Sequence, residues 1–381
     1  MHTVKEHVIS PFCDLLPMLR RLVQPYLSSS TRATCRTAYS AAVGPPRFLP
    51  KGRPFSTASS KMAIAAVGQT CSTSNIADNL EQCLKLVKEA AQAGAKAIFF
   101  PEASDYIASS PQESLSLARP ETESPFVLGL QAAAKEHNIH INAGIHVPVP
   151  VKPSASSPSG ATTATEPAPG AQGAATTTTK LLNRTIWVLP TGQVDASRSY
   201  DKLHLFDYGS LRESAHTQAG AALAAPFETP VGRVGSLICF DLRFPEAAAA
   251  LAHPRASSGW RPAQVLTYPS AFTVPTGGAH WEPLLRARAI EAQCWVVAAA
   301  QVGWHSGTAG AGRVSYGGSM VVDPWGRVRC ALPAVEDRDG EMSVPDGAVG
   351  ALGLVDIDLT QWESVRERMP LVRRTDVYPE I

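Results

Sequence analysis

The chain has 381 residues, 44% of them hydrophobic, and a formal net charge of +1, enough for one large globular core or two modest ones. The balance hides an asymmetry: residues 1–61 carry nine Lys or Arg against Glu6 and Asp14, a charge of +7, and leave −6 for the rest. A slightly acidic body gives no electrostatic reason to bind nucleic acid, and no apolar run approaches the ~18 residues of a membrane span.

The leader, residues 1–61, is rich in Arg, Ser and Thr, the composition of a mitochondrial transit peptide, so it is expected to be disordered or removed. Arg53-Pro54-Phe55-Ser56 resembles a matrix-processing site, although Pro11, Pro17 and Pro25 interrupt any long amphipathic helix. Initiation at Met62 would yield a cytosolic form, so mitochondrial and cytoplasmic locations are both expected.

From Met62 the pattern alternates between strand and helix. Ala63–Gln69 is a predicted strand. Ile76, Leu80, Cys83, Leu84 and Val87 then fall at helical spacing, with Gly94 as a stop. Ala97-Ile98-Phe99-Phe100-Pro101 is a predicted strand that delivers Glu102. Ser124-Pro125 signals a helix to about His137, followed by the strand Ile139–Ile145. Residues 148–179 are almost wholly Pro, Ser, Ala, Thr and Gly. They bury too little to offset their ordering entropy, so a disordered low-complexity insertion between two strands is expected. The strand Thr185–Leu189 follows, then a turn at Pro190-Thr191-Gly192 and a strand carrying Lys202.

The run Val234–Ile238 ends at Cys239 and Phe240, and an Ala-rich helix is predicted to start near Pro245. A thiol on a strand-to-helix elbow faces the crevice where α/β proteins place chemistry. Taken alone, a buried cysteine is equally a small hydrophobe. Further on come the strand Gln264–Tyr268, a helix carrying Leu284, Leu285 and Ile290, and the strand Trp295–Ala299. A hairpin turning at Pro324-Trp325-Gly326 precedes the strand Ala351–Val355 and an exposed C-terminal segment. Residues 305–312 and 333–347 are predicted to be polar insertions. Many β connections mixed with helices predict an α/β fold with two sheets and helices outside, in one domain over 62–381.

Seven cysteines, at positions 13, 35, 71, 83, 239, 294 and 330, include no Cys-x-x-Cys pair and no zinc spacing, so free thiols and no metal are expected. Gly310-Ala311-Gly312 lacks a preceding strand and a third glycine, so no nucleotide loop is expected there.

Glu102, Lys202 and Cys239, in that order and each at a strand end, resemble the signature of the nitrilase superfamily of carbon–nitrogen hydrolases, over roughly Met62 to Pro379. The resemblance implies a four-layer α-β-β-α sandwich, commonly paired through its helices, so a homo-oligomer (dimer or higher) is expected. It also implies a small-molecule amide substrate and no cofactor. A thiol is largely protonated near neutral pH, with a reference pKa of about 8.5. The implied chemistry therefore has Glu102 as general base, Cys239 as nucleophile, and Lys202 with the Phe240 amide holding the oxyanion. Glu213, eleven residues beyond Lys202, resembles the second glutamate of the superfamily; the competing reading is a loop acid paired to Arg212. Arg243 suits a substrate carboxylate or, alternatively, a salt bridge to Asp241 or Glu246. Ser270 and Glu282 match family segments near the pocket, Tyr106 is a further pocket residue, and His204 is expected to pack rather than react.

Leu266-Thr267-Tyr268-Pro269-Ser270-Ala271-Phe272, Ala279-His280-Trp281-Glu282, Leu284–Glu291 and Gln293-Cys294 are similar to one branch, the deaminated glutathione amidases. The likeness implies metabolite repair: a thioester route that cleaves the terminal amide of deaminated glutathione, with release of ammonia. The ω-amidases acting on α-ketoglutaramate are the nearest rival, with Gly at Ser270 and Ala at Pro245. A non-catalytic scaffold of the same fold is the reading from a different class.

Overall fold

Alternate residues along each central strand face opposite ways, and this period of two decides the architecture. The computed structural model describes residues 62–151, 178–208 and 211–378; the leader and most of the insertion lie outside them. One six-stranded sheet runs in the order Ala351–Asp358, Met62–Gln69, Ala97–Phe99, His140–Val151, Thr178–Val188, Tyr200–Asp201. The other runs Val328–Ala331, Met320–Val322, Trp295–Ala298, Val265–Thr267, Gly232–Ser236, Phe227–Thr229.

Ala65, Val67, Phe99, Val234, Val265, Trp295 and Val297 meet in one buried layer between the two sheets. Their neighbours in sequence point outward. Ala66 and Ile98 pack under helices α1 (Ile76–Gln92) and α3 (Pro125–His137), with α2 (Pro111–Leu117) between these in sequence. Leu266 and Val296 pack under α4 (Pro245–Ala252) and α5 (Val274–Ala292). The result is the expected α-β-β-α sandwich. Local signals agree: Asn75 and Ser124 cap α1 and α3, and Gly94 takes φ +83° just past α1.

Met62–Gln69, Ala97–Phe99 and His140–Val151 are parallel, as are Gly232–Ser236, Val265–Thr267 and Trp295–Ala298. Thr70 and Gln301, just beyond two of these strands, form a parallel bridge between the sheets. The carboxyl ends of the parallel strands, where α/β sheets open a crevice, therefore lie side by side.

Four expectations change. The strand His140–Val151 pairs Pro148 with Leu181 and Val151 with Thr178, so 148–151 and 178–179 belong to a hairpin; the cross-strand ladder outweighs a composition that argues for disorder. Lys202 follows a strand of only two residues, Tyr200–Asp201. Residues 333–347 contain a small hairpin, Glu336–Arg338 with Glu341–Ser343. The segment after Val355 is not merely exposed: Asp358 caps a sixth helix, α6 (Leu359–Arg368).

Gly144 marks where backbones crowd. A Cβ there would lie 2.6 Å from the Glu102 Cα and 2.7 Å from the Pro101 carbonyl oxygen, so the loop carrying Glu102 would have to move. Gly144→Ala is expected to cost roughly 1–3 kcal/mol of stability by overpacking and to lower kcat/KM by tenfold or more, roughly, through displacement of the reacting group. Urea unfolding beside steady-state kinetics checks this; unchanged midpoint and rate would refute it.

Candidate active site

Glu102 lies three residues past the strand Ala97–Phe99, Lys202 directly follows Tyr200–Asp201, and Cys239 lies three residues past Gly232–Ser236. The three converge. Nζ of Lys202 is 2.9 Å from Oε1 of Glu102 and 2.9 Å from Oε2 of Glu213. Nδ2 of Asn183 donates to the same two carboxylates at 2.7 and 3.0 Å, and the Phe206 amide donates to Glu213 at 2.7 Å. Lys202 and Glu102 are only 2% and 5% exposed. Buried charges persist only when paired and hydrogen-bonded, as these are. The Cys239 thiol completes the group, lining the same cavity with the Glu102 carboxylate and the Lys202 ammonium as its charged neighbours.

Electrostatics gives each group a definite protonation state. Burial pushes Glu102 up, but the Lys202 ammonium and the hydrogen bonds from Cys239, Lys202 and Asn183 outweigh it and hold the carboxyl below its usual value. Burial opposes the charge on Lys202, yet Glu102, Glu213 and Cys239 raise its pKa well above normal. Burial and then the Glu102 charge raise the Cys239 thiol far above normal, with Lys202 and Ala271 opposing. The resting pair is thus thiol with carboxylate. The ultraviolet absorbance of thiolate, wild type minus Cys239→Ser, is expected to be absent at neutral pH; a full thiolate band there would contradict this state.

The elbow is held in a strained shape. Cys239 has φ +46°, a left-handed conformation that costs a non-glycine residue about 1–3 kcal/mol. Its amide donates to the Pro269 carbonyl at 3.0 Å. Beneath it, buried Asp241 accepts from the Ile238 amide at 2.9 Å, the Tyr200 hydroxyl at 2.8 Å and the His204 amide at 3.0 Å. On the other wall, Gln301 Nε2 donates to the carbonyls of Glu102 and Ala103 at 3.0 and 3.2 Å. The backbones that present Glu102 and Cys239 are therefore both tethered by buried polar side chains.

A cavity of about 150 Å³ opens over this cluster, lined by Glu102, Lys202, Glu213, Cys239, Phe240 and Arg243 among others. Arg243 packs its guanidinium 5.8 Å from the ring centroids of Phe240 and Phe272 and reaches Nδ1 of His280 at 3.1 Å. Asp241, one alternative partner for that arginine, is taken up by Tyr200, His204 and Ile238 instead. Glu213 is bound to Lys202 rather than held as a loop acid by Arg212. His204 packs, stacking on Phe244 with centroids 3.6 Å apart.

Three expected contacts do not reach this cavity. Ser270 is fully buried and its hydroxyl donates to the Tyr268 carbonyl at 3.0 Å. Tyr106 is buried, donates to the Ser114 carbonyl at 2.9 Å, and stacks on His146 in a neighbouring cavity. Glu282 points to solvent and pairs with Arg286 one helical turn on, at 3.2 Å. In exchange the cavity gains Asn183, His146, Arg212 and Arg313, which the sequence reading missed.

The family profile for carbon-nitrogen hydrolase matches residues 63–367. The chain belongs to this family, in the nitrilase superfamily. Among carbon–nitrogen hydrolases it is 40% identical over 325 residues to "Probable hydrolase nit2" of Schizosaccharomyces pombe, covering 84% of this chain and all of that one. It is 38% identical over 331 residues to the deaminated glutathione amidase of Rattus norvegicus, covering 85% and 86% of the two chains. The solved structure of the C. elegans NitFhit protein superposes with a TM-score of 0.66 at 32% identity, covering 84% of this chain and 67% of that one. Among the described residues no helix is long and apolar enough to cross a membrane.

Proposed function

We propose that this carbon–nitrogen hydrolase is a thiol amidase and that deaminated glutathione is its substrate. One observation carries the reading: a buried ammonium is clamped between two carboxylates, and one of these shares its cavity with a thiol on a strained elbow. Relatives at 38% identity named deaminated glutathione amidase support the substrate.

In the proposed cycle Cys239 attacks the amide carbon while its proton passes to Glu102. Negative charge develops on the former carbonyl oxygen, where Lys202 and the Phe240 amide hold it; one such donor contributes about 3–4 kcal/mol. The carbon–nitrogen bond breaks as Glu102 returns the proton to the departing amine, leaving a thioester on Cys239. Water, deprotonated by Glu102, attacks the thioester; the acid departs and the thiol is restored. Glu213 and Asn183 keep Lys202 and Glu102 in register.

The expected release of ammonia is revised on chemical grounds. Glutathione that has lost its glutamyl amino group carries no primary carboxamide; the acyl group is joined to cysteinylglycine, so hydrolysis frees that amine. The rival α-ketoglutaramate does carry a primary amide and would release ammonia. The two are assayed side by side with purified protein. The kcat/KM for cysteinylglycine release is expected to exceed that for ammonia by at least about tenfold, a margin that contacts to a larger leaving group readily supply. A preference for α-ketoglutaramate would overturn the substrate, and background rates on both would favour the scaffold reading.

A further inference from the structure

The cavity over Cys239 is not isolated. A second cavity of about 810 Å³ shares Ala103, His146, Arg212, His216 and Arg313 with it. One wall of this outer chamber is the loop Ala103–Ser110 with the start of α2; the other is the Gly-rich segment His305–Arg313, to which the sequence reading gave no role. That wall is pinned: His305 Nδ1 lies 2.7 Å from the Ser72 carbonyl oxygen and its Nε2 lies 2.7 Å from the Ser315 hydroxyl.

Size and charge both assign this chamber. A cavity near 150 Å³ holds a ligand of about benzene's bulk, whereas an oxo-acyl dipeptide has about twenty non-hydrogen atoms. Most of such a substrate must lie outside the inner cavity. Cations gather at the junction of the two chambers, while the acids of the outer chamber, Asp78 and Glu113, line its wall away from the inner one. Arg313 donates to the Ala271 carbonyl at 3.0 Å and lines both cavities. Arg212 is exposed at the same junction. His146 is fixed there by Asp105, Nδ1 to Oδ1 3.0 Å. Burial opposes its charge, but the Asp105 carboxylate raises its pKa.

We propose that the outer chamber is the leaving-group subsite, and that Arg313 and Arg212 at its mouth bind the free terminal carboxylate of a peptide-like amine. This rests on the amidase reading and names which half of the substrate the chamber takes. The site would favour a carboxylate over an isosteric carboxamide at the leaving-group end, because a guanidinium–carboxylate pair is charge-assisted and often bidentate.

The test compares two amides with one acyl group and a dipeptide leaving group, ending in a carboxylate or in a carboxamide. Wild type is expected to prefer the carboxylate by about thirtyfold in kcat/KM, and Arg313→Ala and Arg212→Gln each to collapse that ratio toward unity. A ratio is insensitive to general loss of activity, so a merely structural role would leave it unchanged. No preference in wild type, or a preference that survives both substitutions, overturns the subsite. Calorimetry with the two free dipeptides on Cys239→Ala protein reads the same ratio without turnover. If neither amide is hydrolysed but the free dipeptides are still discriminated, the amidase reading fails and the carboxylate site stands.

Discussion

Replacing Cys239 with alanine is expected to lower kcat/KM for the amide substrate by about ten-thousand-fold or more, because Cys239 is the one thiol among the described residues that line the cavity. The remaining Glu102, Lys202 and Phe240 amide still bind substrate and polarise its carbonyl, so residual catalysis above water is expected, as is near-normal substrate binding. Stability is expected to change little, since the thiol is small and lies at the cavity surface. A serine in its place keeps the geometry but offers a poorer nucleophile against a carboxylate base, and is expected to be nearly as inactive. Retention of more than about a tenth of wild-type activity in either variant would remove the cysteine from the mechanism.

Lys202→Met has the second largest expected effect, and it acts on two properties at once. Loss of an oxyanion donor costs roughly a hundred- to thousandfold in kcat. It also leaves Glu102 and Glu213 facing each other across a buried space with only Asn183 between them. Breaking a buried pair by removing one partner costs about 3–5 kcal/mol.

The pH dependence should invert with it. In the wild type the Glu102 pKa is held below its unfolded value, so its contribution is present above that unfolded value and is lost as pH falls through the folded one. Without the ammonium, burial dominates and the folded pKa lies above the unfolded value of about 4.3. The variant is then most stable in acid and weakens as pH rises through the raised pKa. Thermal melts of both proteins between about pH 5 and pH 8 check this. Parallel curves would mean that Lys202 is not the counter-charge for these carboxylates.

Much of this site was legible in the chain because Glu102, Lys202 and Cys239, the three candidate catalytic groups, sit at strand ends, two of them where an apolar run stops. Glu102 and Cys239 could each be placed by that rule, and the sheet order then brought the ends together. The errors are equally physical. Ser270 stands next to the cavity residue Ala271, but adjacent side chains on extended backbone face opposite ways, and its own side is the interior. Glu282 shares α5 with buried Trp281 and Leu285, yet one step around a helix moves a side chain to solvent.

Asn183, Asp241 and Gln301 were invisible for another reason. Their work is to satisfy buried donors and acceptors on elements far away in sequence, such as Gln301 with Glu102, and no local pattern encodes such a partner. The helix Leu359–Arg368 was missed because Leu359, Trp362 and Val365 are its only apolar residues, too few for a periodic signal.

A covalent acyl group on one sulfur separates this mechanism from direct attack by water, and intact-mass measurement of the protein during turnover detects it. Acid quenching in the first turnovers, followed by peptide mapping, is expected to find a mass increase equal to the acyl half of the substrate on the peptide containing Cys239. Rapid amide hydrolysis with that peptide unmodified at every time point would rule out a thioester on Cys239.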